Sequence, residues 1–153
     1  MTIQDQITVS FADDKTLDES SIRSVRGMIG VYFIFLAELR IPYPFHSSRL
    51  IYIGMSESRQ NSIGNRLRDH ESGQSGNPGL TNFISSKEGR FAYHSLDFLR
   101  VLGSTNVAEF EGLFLRSFLA FHGCYPICNN QAGIEACTAM NVKNISVDWS
   151  FFR

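Results

Sequence analysis

Arg66 and His70 stand one helical turn apart in the run Ile63-Gly64-Asn65-Arg66-Leu67-Arg68-Asp69-His70. That spacing brings a permanent cation and a base that titrates near neutrality to one face, while Arg68 points elsewhere. Two phenols, Tyr32 in Gly30-Val31-Tyr32 and Tyr52 in Tyr52-Ile53-Gly54, and the carboxylate of Glu111 are further residue types that phosphoryl chemistry uses, and no spacing joins them to that face. Such chemistry needs a deprotonated water, positive charge on the phosphoryl oxygens and help for the departing oxygen. Arginine supplies a forked, permanent charge, and a carboxylate offers the hard oxygen that magnesium prefers. A phenol becomes a base only beside positive charge, since its free pKa is about 10. Each residue also has a plain structural reading. The tyrosines suit a strand core with bonded hydroxyls, the arginine and histidine suit a helix surface, and the glutamate suits a helix start.

The elements that must position these groups can be read from the chain. Residues 30–36 (GVYFIFL) and 50–54 (LIYIG) are rich in β-branched and aromatic residues and read as neighbouring antiparallel strands. Residues 41–48 between them, with Pro42 and Pro44, read as irregular. The two glycines mark places where another backbone or a ligand comes close. Ser62 is placed to cap a helix to about Glu71, closed by the turn-rich residues 72–79, and a short helix is expected near residues 80–86. Residues 90–99 read as a third strand, with Phe91, Tyr93 and Ser95 opposite Ala92 and His94. Thr105 is the expected cap of a long helix over residues 106–121, whose apolar residues recur at helical spacing. A strand at Ile7 to Phe11, a helix over residues 16–24 with Thr16 and Glu19 at capping-box spacing, and a last strand over residues 144–152 lie outside this core.

In this order the motifs resemble the GIY-YIG nuclease family. After its two tripeptides that family shows a helix with an arginine and, in several branches, a histidine one turn on, met here by Arg66 and His70. It then shows a glutamate opening an apolar helix, met by Glu111, and a proline and asparagine beyond it, met by Pro126 and Asn129. The resemblance spans residues 28–133 and implies an α+β fold: a small three-stranded antiparallel sheet flanked by helices, in a β-β-α-β-α core. Residues 1–27 and 134–153 would be extensions packed on the same domain. It further implies a DNA endonuclease with one Mg2+ or Mn2+ ion held by Glu111, giving 5′-phosphate and 3′-hydroxyl ends, with RNA as an open second substrate. Tyr32 would be the general base, Tyr52 its partner, Arg66 the phosphate clamp and His70 a proton relay or a hydrogen-bonding support. Arg59, Arg68 and Asn129 would contact the nucleic acid, Asn129 alternatively fixing the loop near Glu111. The chain departs from the family pattern at Met55, where many members carry a basic residue, and in longer stretches at residues 57–63 and 119–125. A binding or scaffold domain without catalysis is the rival reading.

The chain has 153 residues, 43% of them hydrophobic and 19% charged, which suits one domain with a real core. No apolar run reaches membrane-spanning length and no secretory signal is evident, so a cytoplasmic protein without a membrane partner is expected. The net charge of −1 disfavours tight nonspecific grip on nucleic acid. Five of the carboxylates, Asp5, Asp13, Asp14, Asp18 and Glu19, lie in the first 20 residues against Lys15 alone, leaving the remainder at +3. The acidic stretch from Asp13 to Glu19 is thus a candidate restraint over a basic face. With one active site per chain, double-strand cutting implies a homodimer or two binding events, and specificity must come from residues 57–63 and 73–89 or from a partner protein. His122, Cys124, Cys128 and Cys137 form a possible zinc set, but their spacing fits no standard ribbon or finger, and buried free thiols are the plainer reading.

Overall fold

A computed structural model describes residues 7–103, 106–129 and 145–153. It is a mixed α+β fold built on a four-stranded antiparallel sheet rather than the expected three. In chain order the elements begin with β1 (Ile7–Val9), β2 (Lys15–Thr16), α1 (Glu19–Ser24), β3 (Gly30–Leu36), β4 (Ile41–Pro42) and β5 (Ser47–Ser48). There follow β6 (Leu50–Ser56), α2 (Ile63–Ser72), α3 (Pro78–Ser86), β7 (Gly89–Ser95), α4 (Leu96–Val101), α5 (Val107–His122), β8 (Ile145–Val147) and a 3-10 turn at Trp149–Phe152. The sheet order is β2-β7-β3-β6.

The unbroken apolar run of β3 puts it at the centre, where all seven of its residues are buried. Val31, Phe33 and Phe35 pack on one face against Phe110, Phe114 and Phe118 of α5 and against Trp149 and Phe152. Tyr32, Ile34 and Leu36 pack on the other face with Ile63 and Leu67 of α2 and Leu80 and Ile84 of α3. The sheet is therefore the middle of three layers. Phe33 and Phe114 meet edge-on at 5.0 Å between ring centres, a geometry that adds to simple burial. On β6 a bulge leaves Ile51 without a partner on β3: Ile34 pairs with Tyr52, and Phe35 pairs with Leu50.

Several expected boundaries shift for identifiable reasons. The fourth strand is β2, in which Thr16 pairs with Arg90, so Thr16 is not the helix cap; Asp18 caps α1, accepting from Ser21 N at 2.8 Å. β7 stops at Ser95 because that side chain caps α4, ending the strand expected to reach Leu99. Asn106 caps α5 through Ala108 N and Glu109 N, one residue beyond the expected cap; Thr105 lies outside the described residues. The C-terminal strand is only three residues, pairs parallel with β1, and gives way to the 3-10 turn capped by Asp148. The stretch read as irregular holds the small β4–β5 ladder. Among the described residues no helix is long and apolar enough to cross a membrane.

Candidate functional site

The glycines of the two tripeptides are dictated by close approach. A Cβ on Gly30 would lie 2.1 Å from the His94 carbonyl oxygen of β7, and one on Gly54 would lie 2.4 Å from Tyr32 Cζ and Oη. Gly54 faces Tyr32 across the β3–β6 ladder and leaves room for the phenol. The Tyr32 and Tyr52 rings then share one face of the sheet with centres 6.0 Å apart.

Ser62 caps α2 through Asn65 N, and Gly73 ends it in the left-handed conformation at φ 86°. Ile63 and Leu67 fix the roll of the helix in the core. Arg66 and His70 are thereby aimed at Tyr32. Arg66 Nε donates to Tyr32 Oη at 3.2 Å, and Tyr32 Oη lies 2.8 Å from His70 Nε2. Since arginine can only donate, we assign the Tyr32 proton to the bond with His70, which puts the histidine's own proton on Nδ1. That Nδ1 is buried and meets no partner among the described residues. Burial, then the charge of Arg66, lowers the His70 pKa to about 4, so the ring is a neutral acceptor. Burial, followed by the nearby Tyr52, pushes Tyr32 well above the ordinary phenol value. Tyr52 is raised as well, by burial against the opposing pull of Arg66.

Glu111 comes from the opposite layer. It projects from α5 past the edge of β6 into a cleft of about 860 Å³ whose walls include Tyr52, Arg66, His70, Asn77, Cys128 and Asn129. Its carboxyl is raised to about 7 by burial, with Arg66 opposing and Glu57 adding to the rise. No described residue gives it a hydrogen bond or an ion pair. A half-buried carboxylate with unfilled oxygens facing a cleft fits a hard cation. No three His, Cys, Asp or Glu residues gather as a metal group among the described residues. An ion here would take Glu111 as protein ligand and complete its shell from water and phosphate, as magnesium commonly does.

Four of the five expected catalytic residues, Tyr52, Arg66, His70 and Glu111, line this cleft. Tyr32 is held to them by its hydroxyl but is 0% exposed, covered by the groups it bonds. Among the expected nucleic-acid contacts, Arg59 and Arg68 are exposed outside the cleft lining. Asn129 lines the cleft but spends its carboxamide on β6. Its Oδ1 accepts from Ile53 N at 2.9 Å and its Nδ2 donates to Ile53 O at 2.8 Å, which makes it the brace rather than a free phosphate contact. Met55 also lines the cleft, where a basic side chain would have added charge. Of the possible zinc set, Cys137 lies outside the described residues and His122 is buried, stacked on Phe118 at 3.7 Å and with Nδ1 3.2 Å from Phe118 O. Cys128 forms part of the cleft wall, and burial raises its thiol to about 11.

The acidic segment does not reach the cleft through any hydrogen bond or ion pair described. Asp14 pairs with Arg90, and Glu19 pairs with Arg23 at 2.9 Å. Sequence reasoning missed Asn77, which lines the cleft. Asn77-Pro78 was a legible signal, a capping residue before a proline at the first helical position. Comparisons with protein-family models, curated proteins and solved structures gave no match, so the functional reading rests on the motif resemblance and on the site's geometry.

Proposed function

We propose that this chain is a GIY-YIG-type endonuclease that hydrolyses DNA phosphodiester bonds with one Mg2+ or Mn2+ ion held by Glu111. The observation that carries the reading is the meeting of Tyr52, Arg66, His70 and Glu111 from both sides of the sheet at the β6 edge, with Tyr32 bonded behind them. A stable fold has no need of that set. Raised and lowered pKa values side by side in one cleft are a further mark of a reactive site.

In the proposed reaction the substrate phosphate draws Arg66 off Tyr32 Oη and holds it as the charge clamp. That uncovers the phenol. A water gives its proton to Tyr32 Oη as Tyr32 passes its own proton to His70 Nε2. The water oxygen bonds to phosphorus, and the bond from phosphorus to the 3′ oxygen breaks. That oxygen takes a proton from solvent water, so that the products are a 5′-phosphate and a 3′-hydroxyl, while His70 returns its extra proton to solvent. Glu111 would hold the divalent ion, which would supply positive charge to offset the negative charge that gathers on the phosphoryl group and the departing oxygen. Tyr52 faces the same space and orients water or phosphate. RNA carries the same linkage and is the second substrate to try.

Two features favour the rival, a nucleic-acid-binding or scaffold domain without catalysis: the complete burial of Tyr32 and the apolar Met55 in the cleft. Incubation of supercoiled plasmid with Mg2+ or Mn2+ separates the readings. The nuclease yields nicked or linear DNA whose ends a DNA ligase reseals without prior treatment. Ends that need phosphorylation or phosphatase treatment first contradict the proposed chemistry, and intact plasmid with measurable binding favours the rival.

A further inference from the structure

The walls of the cleft are tied together through one side chain, that of Asn77. Its Oδ1 accepts from Leu80 N at 3.2 Å and caps α3, while its Nδ2 donates to the Cys128 carbonyl at 3.0 Å. The turn that carries Cys128 is fastened to β6 on both sides of Tyr52. Cys128 N donates to Ile51 O at 2.9 Å, and Asn129 grips both backbone groups of Ile53. On its other side the first turn of α3 is fastened to α2, where Thr81 Oγ1 donates to the His70 carbonyl at 2.7 Å while Thr81 N donates to Asn77 O at 3.2 Å. A chain of hydrogen bonds thus runs from His70 through Asn77 to the backbone that presents Tyr52.

We infer that Asn77 is a positioning residue that holds the Cys128–Asn129 turn, and with it the β6 backbone on either side of Tyr52, against the start of α3, and so fixes the cleft wall on which the phosphodiester is seated. Capping alone does not call for asparagine, because serine caps a helix as well. Serine has one polar atom where asparagine has two at a distance from each other, so it cannot cap α3 and reach Cys128 at once. The consequence for cutting rests on the nuclease reading; the bridge between the walls does not.

The test compares the wild-type chain with Asn77→Ser and Asn77→Ala by thermal melting, amide hydrogen exchange and single-turnover plasmid cleavage across DNA concentrations. Asn77→Ser is expected to melt with the wild type, while its Cys128 and Ile53 amides exchange at least about tenfold faster, the loss expected when a buried hydrogen bond is removed. Its maximal cleavage rate is expected to fall at least about tenfold while half-saturating DNA changes less than about threefold, as misplacement rather than lost binding requires. Asn77→Ala is expected to add a lower melting temperature from the lost cap. Wild-type exchange at Cys128 in Asn77→Ser overturns the bridge. Faster exchange with an unchanged cleavage rate overturns the positioning role. A wild-type chain that cuts no DNA sinks the nuclease reading and the positioning role with it, and leaves the bridge to stand or fall on the exchange result.

Discussion

At the scale of single residues, the site is a place where stability is given up. A carboxyl raised to about 7 by burial binds a proton in the folded chain that the unfolded chain has already released above its ordinary value of 4.5. Glu111 therefore lowers stability progressively as pH rises from about 4.5 to about 7, and the full penalty is present above that range. His70, lowered to about 4, has the opposite sign: its neutral form is fully compatible with the fold above about 6.5, and stability is lost as pH falls toward 4. Removing the ionisable group without changing its shape isolates the first effect. Glu111→Gln is predicted to raise stability at pH 8 by on the order of 1–3 kcal/mol and to leave it nearly unchanged at pH 4. Chemical denaturation at the two pH values checks this, and a variant less stable than the wild type at pH 8 contradicts it. Spacing alone joins Arg66 to His70; that Tyr52 and Glu111 meet them was an expectation of the motif resemblance, not of residue types or spacing. The burial of Tyr32 with its hydroxyl bonded matches the plain reading of a strand-core phenol, which the sequence offered beside the catalytic one; strand alternation shows which face a side chain takes but not how many layers cover it.

At the scale of elements, the β3–β6 pair carries the site, and Gly54 is the point where pairing and chemistry touch. Any side chain there collides with Tyr32 Oη and with Tyr52 Cε1, the latter 2.7 Å from the added carbon. Gly54→Ala is predicted to cost about 1–3 kcal/mol, as overpacked cores do, and to displace both phenols, with activity lost beyond what the folded fraction explains. Circular dichroism melting read beside cleavage rate checks the pair of effects; a variant with wild-type stability and rate refutes the account of this glycine. Strands β3 and β6 and helices α2 and α5 were legible because apolar runs and helical periodicity extended over many residues. Boundaries went astray where a short polar residue had two uses. Ser95 read as one more strand residue but caps α4, and Thr16 read as a cap but lies in β2. The brace made by Asn129 and the tie made by Asn77 join segments far apart in the chain, and no local pattern encodes such partners.

At the scale of the whole molecule, charge sets how the chain meets its substrate. A net charge of −1 gives little general attraction for a polyanion. The acidic N-terminal segment adds to that deficit while being tied into the fold: Val9, Phe11 and Leu17 are buried, so removing the segment would damage the core. Charge substitution is the cleaner probe. Asp13→Asn with Asp14→Asn removes two negative charges and the Asp14 partner of Arg90, leaving its pair with Glu88 at 3.7 Å, and is predicted to tighten DNA binding a few-fold at low salt. The difference should vanish near 1 M salt, where the screening length is about 3 Å. Fluorescence anisotropy across salt concentrations reads this out, and affinity equal to the wild type at low salt removes the segment as a restraint.

The proposed endonuclease depends most directly on Glu111, and Glu111→Gln tests it without the ambiguity of an unfolded variant. The decisive measurement is cleavage of supercoiled plasmid in Mn2+ by wild-type and Glu111→Gln chains at equal folded concentration. The account predicts metal-dependent cutting by the wild type and a loss of at least about a hundredfold in the variant, the scale on which removing a transition-state charge contact acts. Cutting by Glu111→Gln at the wild-type rate, or a wild-type chain that binds the plasmid and leaves it intact, would contradict it.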